Sequence, residues 1–336
     1  MQVQRGTDQQ TIGLSGVVTC GSPWSCPCCA CRIYTSRGAE LTQAVEGWAG
    51  PLPDRRDGAV SLLTLTLRHG LGDDLREIRR ALCDAWRRMW QGEPGRRLRR
   101  ALGVEHHVRA LEVTFGGNGW HPHLHALLFH VRPPSDDALE LVRARWVRVF
   151  ERLASSYRRQ ARELRGTRED DARALELERK AKAVEWATPD HEHGADLRPS
   201  HRSDYIAKLG LEVASIGTKT PKTRGSRTPW DIATDAAEGD VDARALWIEY
   251  TEAMHGARQL TWSKGARVAL GLNERDEDED HAEEPPGTLL ADIPAAVWDF
   301  WSRVPGWTSE LLRRAKGPTP ILDVEQWLRW HQRAGP

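Results

Sequence analysis

Three histidines stand at every second position in Trp120-His121-Pro122-His123-Leu124-His125. Alternate side chains of a β-strand share a face, so these imidazoles project to one side, with neighbours roughly 7 Å apart. Histidine is the commonest metal ligand among side chains, and a row of imidazoles on one sheet face predicts a metal site. The preceding Leu111-Glu112-Val113-Thr114-Phe115 alternates like a half-buried strand. Gly116-Gly117-Asn118-Gly119 joins the two runs with residues that tolerate positive φ. A hairpin closed there pairs Phe115 with Trp120, Thr114 with His121 and Glu112 with His123. Directly opposed residues share a face, so Glu112 points at the row. The expected metal set is His123, His125, Glu112 and His121, the last as a ligand or a DNA contact. A merely solvated histidine face is the bland alternative, and three in alternation opposite a carboxylate weigh against it. His106 and His107, upstream, read as incidental.

A second candidate lies in Ser203-Asp204-Tyr205-Ile206-Ala207-Lys208-Leu209, whose apolar spacing fits a short helix. Tyr205 and Lys208, three apart, share a helix face. A free phenol has a pKa near ~10, and a nearby ammonium favours its nucleophilic anion. The same Lys208 can neutralise a phosphate under attack. Alone, such a pair is more often amphipathic surface. Of four tyrosines in the chain, Tyr205 is the one so placed.

Five of the six cysteines fall together: Cys20, Cys26, Cys28, Cys29 and Cys31. Two C-x2-C spacings, Cys26 with Cys29 and Cys28 with Cys31, suit a zinc half-site. The expected structural zinc set is Cys20, Cys26, Cys29 and Cys31, with Cys28 or a distant histidine as alternative fourth ligand. Disulfides are disfavoured because no secretory signal is visible. Cys83, in an amphipathic stretch, reads as core.

Taken in order, several segments resemble the plasmid rolling-circle replication initiators (Rep proteins) of the HUH endonuclease superfamily. Leu62-Leu63-Thr64-Leu65-Thr66-Leu67-Arg68-His69 is similar to the first Rep motif, a core strand. Gly119 to His125 is similar to the metal-binding motif, and Tyr205-Ile206-Ala207-Lys208 to the nucleophile motif. The run from Cys20 to Cys29 resembles a cysteine motif found ahead of some initiator cores. The resemblance spans roughly residues 18 to 215. It implies a divalent ion, Mg or Mn, at the histidine row. It also implies attack by Tyr205 on single-stranded origin DNA, a 5′-phosphotyrosyl link, and a free 3′-hydroxyl for a polymerase. Plasmid origin DNA and the host helicase and polymerase are the implied partners. Ligand chemistry alone leans toward zinc or another transition metal. No GxxxxGK[ST] loop is present, consistent with rejoining that needs no nucleotide cofactor. A single tyrosine in the motif argues against a two-tyrosine mechanism, and no residue is assigned to activate water at termination. A relaxase or single-strand transposase shares the chemistry, but a relaxase usually carries its nucleophile ahead of the histidines. A non-catalytic zinc-dependent DNA-binding regulator would leave the histidine row unexplained.

The elements that must position these residues follow from patterning and resemblance together. The expected fold is α+β: an antiparallel HUH-like sheet with helices on one face and metal and tyrosine on the other. Helices are expected over 35–48, 73–90, about 135–163 (capped by Ser135), 168–186 and 240–258. Strands are expected over 59–68 and in a hairpin over about 104–131, with a short returning strand at 259–263. Residues 51–58 and 187–200 read as loops, and 218–230 as a basic, turn-rich loop or connector. Residues 1–48 form an N-terminal segment with the cysteine knuckle, and 49–215 the nickase core, with a helical insertion at about 135–186. Residues 216–287 hold a basic loop, a helix and an acidic linker, and 288–336 a tryptophan-rich helical tail. Its tryptophans read as core of a small helical domain rather than base-stacking groups.

Forty-eight basic and 48 acidic residues give zero formal net charge, unusual for a DNA-binding chain. The charge is segregated. Arginines crowd residues 76–109, where Arg96, Arg97, Arg99 and Arg100 are candidate phosphate contacts, against the alternative of a solvated helix face. Acid gathers in Glu274 to Asp280 and at Glu283 and Glu284. No run approaches the ~20 apolar residues of a membrane span, so a soluble, cytoplasmic protein is expected.

Overall fold

The computed structural model describes residues 1–5, 12–15, 20–49, 59–164, 168–199, 226–273, 288–304 and 306–334. Tyr205, Lys208, the loop at 51–58, the basic run 218–225 and the acidic stretch 274–287 lie outside the described residues. So do the side chains of Cys28 and Cys31. The chain divides into two compact units, one formed by Ser22–Glu277, the other by Met1–Gly21 together with Asp278–Pro336.

In the larger unit the elements run α1 (Pro27–Ala49), β3 (Ala59–Leu65), α2 (Leu75–Met89), α3 (Gly92–Leu102), β4 (Val104–Gly116), β5 (Gly119–His130), α4 (Ala138–Glu163), α5 (Arg168–Trp186), β6 (Ala195–Pro199), α6 (Pro229–Ala237), α7 (Val241–Met254), β7 (Leu260–Trp262) and α8 (Ala266–Ala269). Strands β1 (Gln2–Arg5) and β2 (Ile12–Ser15) belong to the other unit. The sheet has the order β6-β3-β5-β4-β7, with every neighbouring pair antiparallel. Its centre is the expected hairpin, in the expected register: Phe115 opposes Trp120, Thr114 opposes His121 and Glu112 opposes His123. A register shift between Val104 and His106 lies at the far end of β4 and leaves the tip undisturbed. Gly119 closes the turn at φ +82°, and a Cβ there would meet the Gly70 carbonyl oxygen at 3.0 Å and Leu71 Cα at 3.3 Å. Both the left-handed backbone and the close approach require glycine.

Alternation divides the sheet into two faces. Leu63, Leu65, Leu111, Val113, Trp120, Leu124, Ala126 and Leu128 enter one core with the apolar sides of α2, α4 and α7. The buried stripe of α2 holds the expected Leu75, Ile78, Leu82, Ala85, Trp86 and Met89. Trp146 of α4 donates through Nε1 to the Thr66 carbonyl at 2.8 Å and pins that helix to the end of β3. Helix α5 folds back along α4. On the opposite face Leu62, Val108, Ala110, Leu127 and Phe129 pack under α1 through Ile33, Tyr34, Leu41, Val45 and Trp48. The antiparallel α+β sheet matches the expectation. Helices, however, are not confined to one face: α1 covers half of the histidine face, because the odd positions of β5 turn from His125 to the apolar Leu127 and Phe129.

Other differences are local. Helix α1 begins at Pro27 rather than 35, so the expected knuckle runs into its first turns; proline is well suited to the first helical position. The basic stretch after α2 is a second helix, α3. Asp137, not Ser135, stands at the N-terminal boundary of α4; its side chain makes no capping hydrogen bond and accepts one from Ser135. Residues 195–199, read as loop, form edge strand β6. The end of the expected basic loop starts α6, where Thr228 and Asp231 make a reciprocal capping box around Pro229. β7 returns to the sheet as expected, on β4. Among the described residues no helix is long and apolar enough to cross a membrane.

The smaller unit joins two distant parts of the chain. β1 (Gln2–Arg5) pairs with both β2 (Ile12–Ser15) and β8 (Thr288–Asp292). α9 (Ala295–Trp301), α10 (Trp307–Ala315) and α11 (Pro320–Ala334) follow. The expected all-helical tail therefore contains a strand, whose partner lies near the start of the chain. Its core gathers Val3, Leu290, Ile293, Val297, Trp307, Leu311, Val324 and Leu328, with Trp298, Trp301 and Trp327 packed against it. Trp330 is exposed.

Candidate metal centre

β4 and β5 bring Glu112, His123 and His125 together, and one ligand atom from each lies within 4.8 Å of the others. Glu112 Oε2 stands 3.0 Å from His123 Nε2 and 3.1 Å from His125 Nε2. Two atoms bound to one cation at about 2.1 Å are at most about 4.2 Å apart, so both separations fit a shared ion. The outer nitrogens are also held. His125 Nδ1 is 3.1 Å from Thr64 Oγ1, and His123 Nδ1 is 3.4 Å from the His121 carbonyl oxygen. If each Nδ1 carries the proton and donates outward, each Nε2 lone pair faces the carboxylate, the tautomer that metal binding needs. Two imidazoles and one carboxylate suit a divalent ion, and three protein ligands leave positions for substrate.

His121 stands beside this group. Its Nε2 lies 3.0 Å from Thr66 Oγ1, and its ring stacks on His69 at 4.6 Å between centroids. Burial, then the neighbouring His123 and His69, lower its pKa to about 4, so it is neutral at neutral pH. His69 in turn makes a hydrogen bond through Nδ1 with the Asn118 carbonyl of the hairpin turn, at 3.1 Å.

Sequence reasoning missed Thr64 and Thr66. They lie on β3 and its continuation, and Thr64 directly opposes His125. Their signal was the alternation Leu63-Thr64-Leu65-Thr66-Leu67, which puts both hydroxyls on the histidine face. It also missed Tyr34 of α1, whose hydroxyl donates to the Pro23 carbonyl at 2.6 Å. Burial pushes that phenol well above its usual range; Arg37 opposes the shift and Glu112 adds to it. Tyr34 is therefore a capped, neutral phenol near the metal group. Edge strand β6 places Asp196 opposite Thr64, where it pairs with Arg198 at 2.6 Å.

The remaining candidates lie apart from this group. Arg96, Arg97 and Arg100 of α3 surround Glu93 at 3.0, 3.3 and 2.9 Å. Hydrogen bonds from Arg100, Arg96 and Arg97 hold that carboxyl down at about 2. Arg99, on another side of the helix, lies toward His107. His107 is not a loose surface group: it is buried, stacked on Trp90 at 4.9 Å and edge-on to Trp86 at 5.1 Å. Cys26 precedes α1 and Cys29 is buried in its first turn; with the exposed Cys20 they form a group whose sulfurs all lie within 4.8 Å of one another.

Comparison with known proteins agrees with this architecture. Residues 12–187, more than half of the chain, match the Replication protein family. "Protein rep" of Streptomyces lividans is 28% identical over 359 aligned positions, covering 86% of this chain and 73% of that protein. A "Neomycin resistance protein" of Streptomyces cyanogenus is 30% identical over 173 residues, 40% of this chain and 38% of that protein. No solved structure matches. The matched family region contains Glu112, His121, His123 and His125 and ends before Tyr205. With its antiparallel sheet, its paired histidine strand and this match, the chain belongs to the replication protein family, that of the plasmid Rep initiators.

Proposed function

We propose that this protein nicks and rejoins single-stranded DNA at a plasmid replication origin, using Tyr205 as nucleophile and a divalent cation held by Glu112, His123 and His125. The observation that carries the proposal is the convergence of two imidazole nitrogens on one carboxylate oxygen, with the rings oriented by Thr64 and the His121 carbonyl. The ion, Mg or Mn on the family resemblance, would polarise the scissile phosphate.

The chain supplies the rest. Tyr205 Oη attacks phosphorus, the bond to the 3′-oxygen breaks, and that oxygen takes a proton to become a free 3′-hydroxyl. The 5′-phosphate stays on Tyr205, and rejoining is the reverse. Lys208 offsets charge on the phenolate and phosphate. His121 and His69, stacked on each other, border the group and can contact DNA. Reach supports the role of Tyr205. It follows Pro199, the end of β6, by six residues, which extended span at most about 20 Å. Two strand spacings across the sheet and three residue rises along it, at right angles, put Pro199 about 14 Å from His125 along the diagonal. Downstream, Arg227 is bridged to Phe115 near the hairpin tip. Pro199 and Arg227, the described residues on either side of Tyr205 in the chain, thus both pair with strands of this sheet or with its continuation at the hairpin tip.

The arginines of α3 would add phosphate contacts, since three of them share one Glu93. Cys20, Cys26, Cys29 and Cys31 are proposed to hold a structural zinc on their spacing. The released 3′-hydroxyl is the end that a host polymerase extends, with a helicase opening the duplex ahead of it.

The test uses labelled origin oligonucleotides and Mn. Wild type is expected to give a DNA-linked species that survives denaturing electrophoresis, with mass spectrometry locating the adduct on Tyr205. Tyr205→Phe should abolish the adduct and keep DNA binding; an adduct that persists moves the nucleophile elsewhere. Elemental analysis of reduced protein should find about one zinc per chain by the four-ligand reading, and its absence would rule out the cysteine site.

A further inference from the structure

We propose that Trp186, backed by Arg68, is a stacking platform for a nucleobase of the single-stranded DNA that approaches the metal group. This inference rests on the reading of that group as a DNA-cleavage site.

Trp186 ends α5 with about half of its surface exposed (51%), a large apolar area to leave in water. It is nevertheless held in one pose. Its Nε1 donates to Asp73 Oδ2 at 3.1 Å, and its ring edge lies over Gly70, where an added Cβ would be 3.7 Å away. The Arg68 guanidinium stands 5.6 Å from the ring centroid. The backbone beneath is fixed too, because Arg68 N–H donates to the Ala187 carbonyl and Asp73 Oδ2 also accepts from Gly70 N–H. A preorganised ring loses little freedom on binding, and a cation beside it favours a polyanion.

Position connects the platform to the centre. Arg68 is followed by His69, which stacks on His121, which adjoins His123 at 5.2 Å between ring centroids. Gly70 and Leu71 press on Gly119 at the start of the histidine strand. Arg68 and His69 adjoin in the chain, and ring contacts from His69 through His121 to His123 lead on to the candidate ligands. Stacking tolerates any sequence, since every base has a π-face. The platform would hold the strand in place, while origin recognition resides elsewhere.

The experiment measures binding in EDTA, so that cleavage plays no part. The probes are a fluorescein-labelled oligothymidylate and an abasic strand of equal length and charge. Wild type should prefer the base-bearing strand. In Trp186→Ala that preference should fall roughly 5- to 150-fold, the range of one lost base–aromatic stack, and Trp186→Phe should restore most of it. An unchanged preference in Trp186→Ala overturns the platform, as does equal loss for both strands, which would indicate a structural role. Should Trp186→Ala fail to fold, photocrosslinking of wild type to iodouracil-substituted DNA decides, with a Trp186 adduct expected and its absence overturning the proposal. The Tyr205 adduct assay reads the nicking proposal separately.

Discussion

Glu112 Oε2 is the shared neighbour of both imidazole Nε2 atoms, so each member of the group should matter to metal affinity in its own way. His125→Ala removes a proposed ligand, and we expect Mn binding by calorimetry and metal-dependent nicking to be lost together. Thr64→Val is subtler: it keeps the shape but removes the hydroxyl that stands 3.1 Å from His125 Nδ1. Loss of such an outer partner typically weakens metal affinity about 10–100-fold. Unchanged affinity would mean that Thr64 does not orient the ring. At His107, burial and then the charges of Arg99, His106 and Arg109 push the pKa down to about 3. An unfolded histidine titrates near ~6.5. Between these values the unfolded chain binds a proton that the folded one refuses, so this stability is present above pH ~6.5 and is lost as pH falls toward 3. His107→Phe, which keeps the stack on Trp90, should lose about 1–2 kcal/mol less than wild type between pH 6.5 and 5. Urea melts at the two pH values measure it.

Among the elements, the β4–β5 hairpin decides whether the ligands meet. A one-residue slip would send every histidine to the apolar core. Gly119→Ala puts a Cβ on a positive-φ residue and 3.0 Å from the Gly70 carbonyl oxygen. A loss of about 1–3 kcal/mol in chemical denaturation is expected, and an unaltered midpoint would show the turn to be slack. The hairpin was legible in the sequence because everything that fixes it is local: alternation, a glycine turn and opposed residue pairs. Helix α2 was legible for the same reason, through its apolar periodicity. Strand β6 was not, since Ala195–Pro199 is a short edge strand whose pairing with β3 is set across 130 residues of chain. Helix α3 was obscured by its arginines, which read as a charged run until Glu93 is seen to gather three of them. The cover that α1 lays over Leu127 and Phe129 is a tertiary contact with no local signature. The start of α6 could have been found, because Thr228-Pro229-Trp230-Asp231 spells a capping box with proline at the first position.

For the whole molecule, the larger unit contains the sheet, both its cores and the candidate metal group. A fragment of residues 22–277 is expected to melt cooperatively and to bind Mn as the full chain does, as followed by circular dichroism and calorimetry. Failure to fold would show that the Ser22–Glu277 unit depends on the rest of the chain. The smaller unit has a different history. Strand β1 is synthesised 283 residues before β8, counting from Arg5 to Thr288. At about 5–20 residues per second, a ribosome leaves that first strand waiting roughly a quarter of a minute to a minute for its second neighbour. The nascent chain must carry an open strand edge throughout, and its order of maturation is reversed: what is made first is finished last.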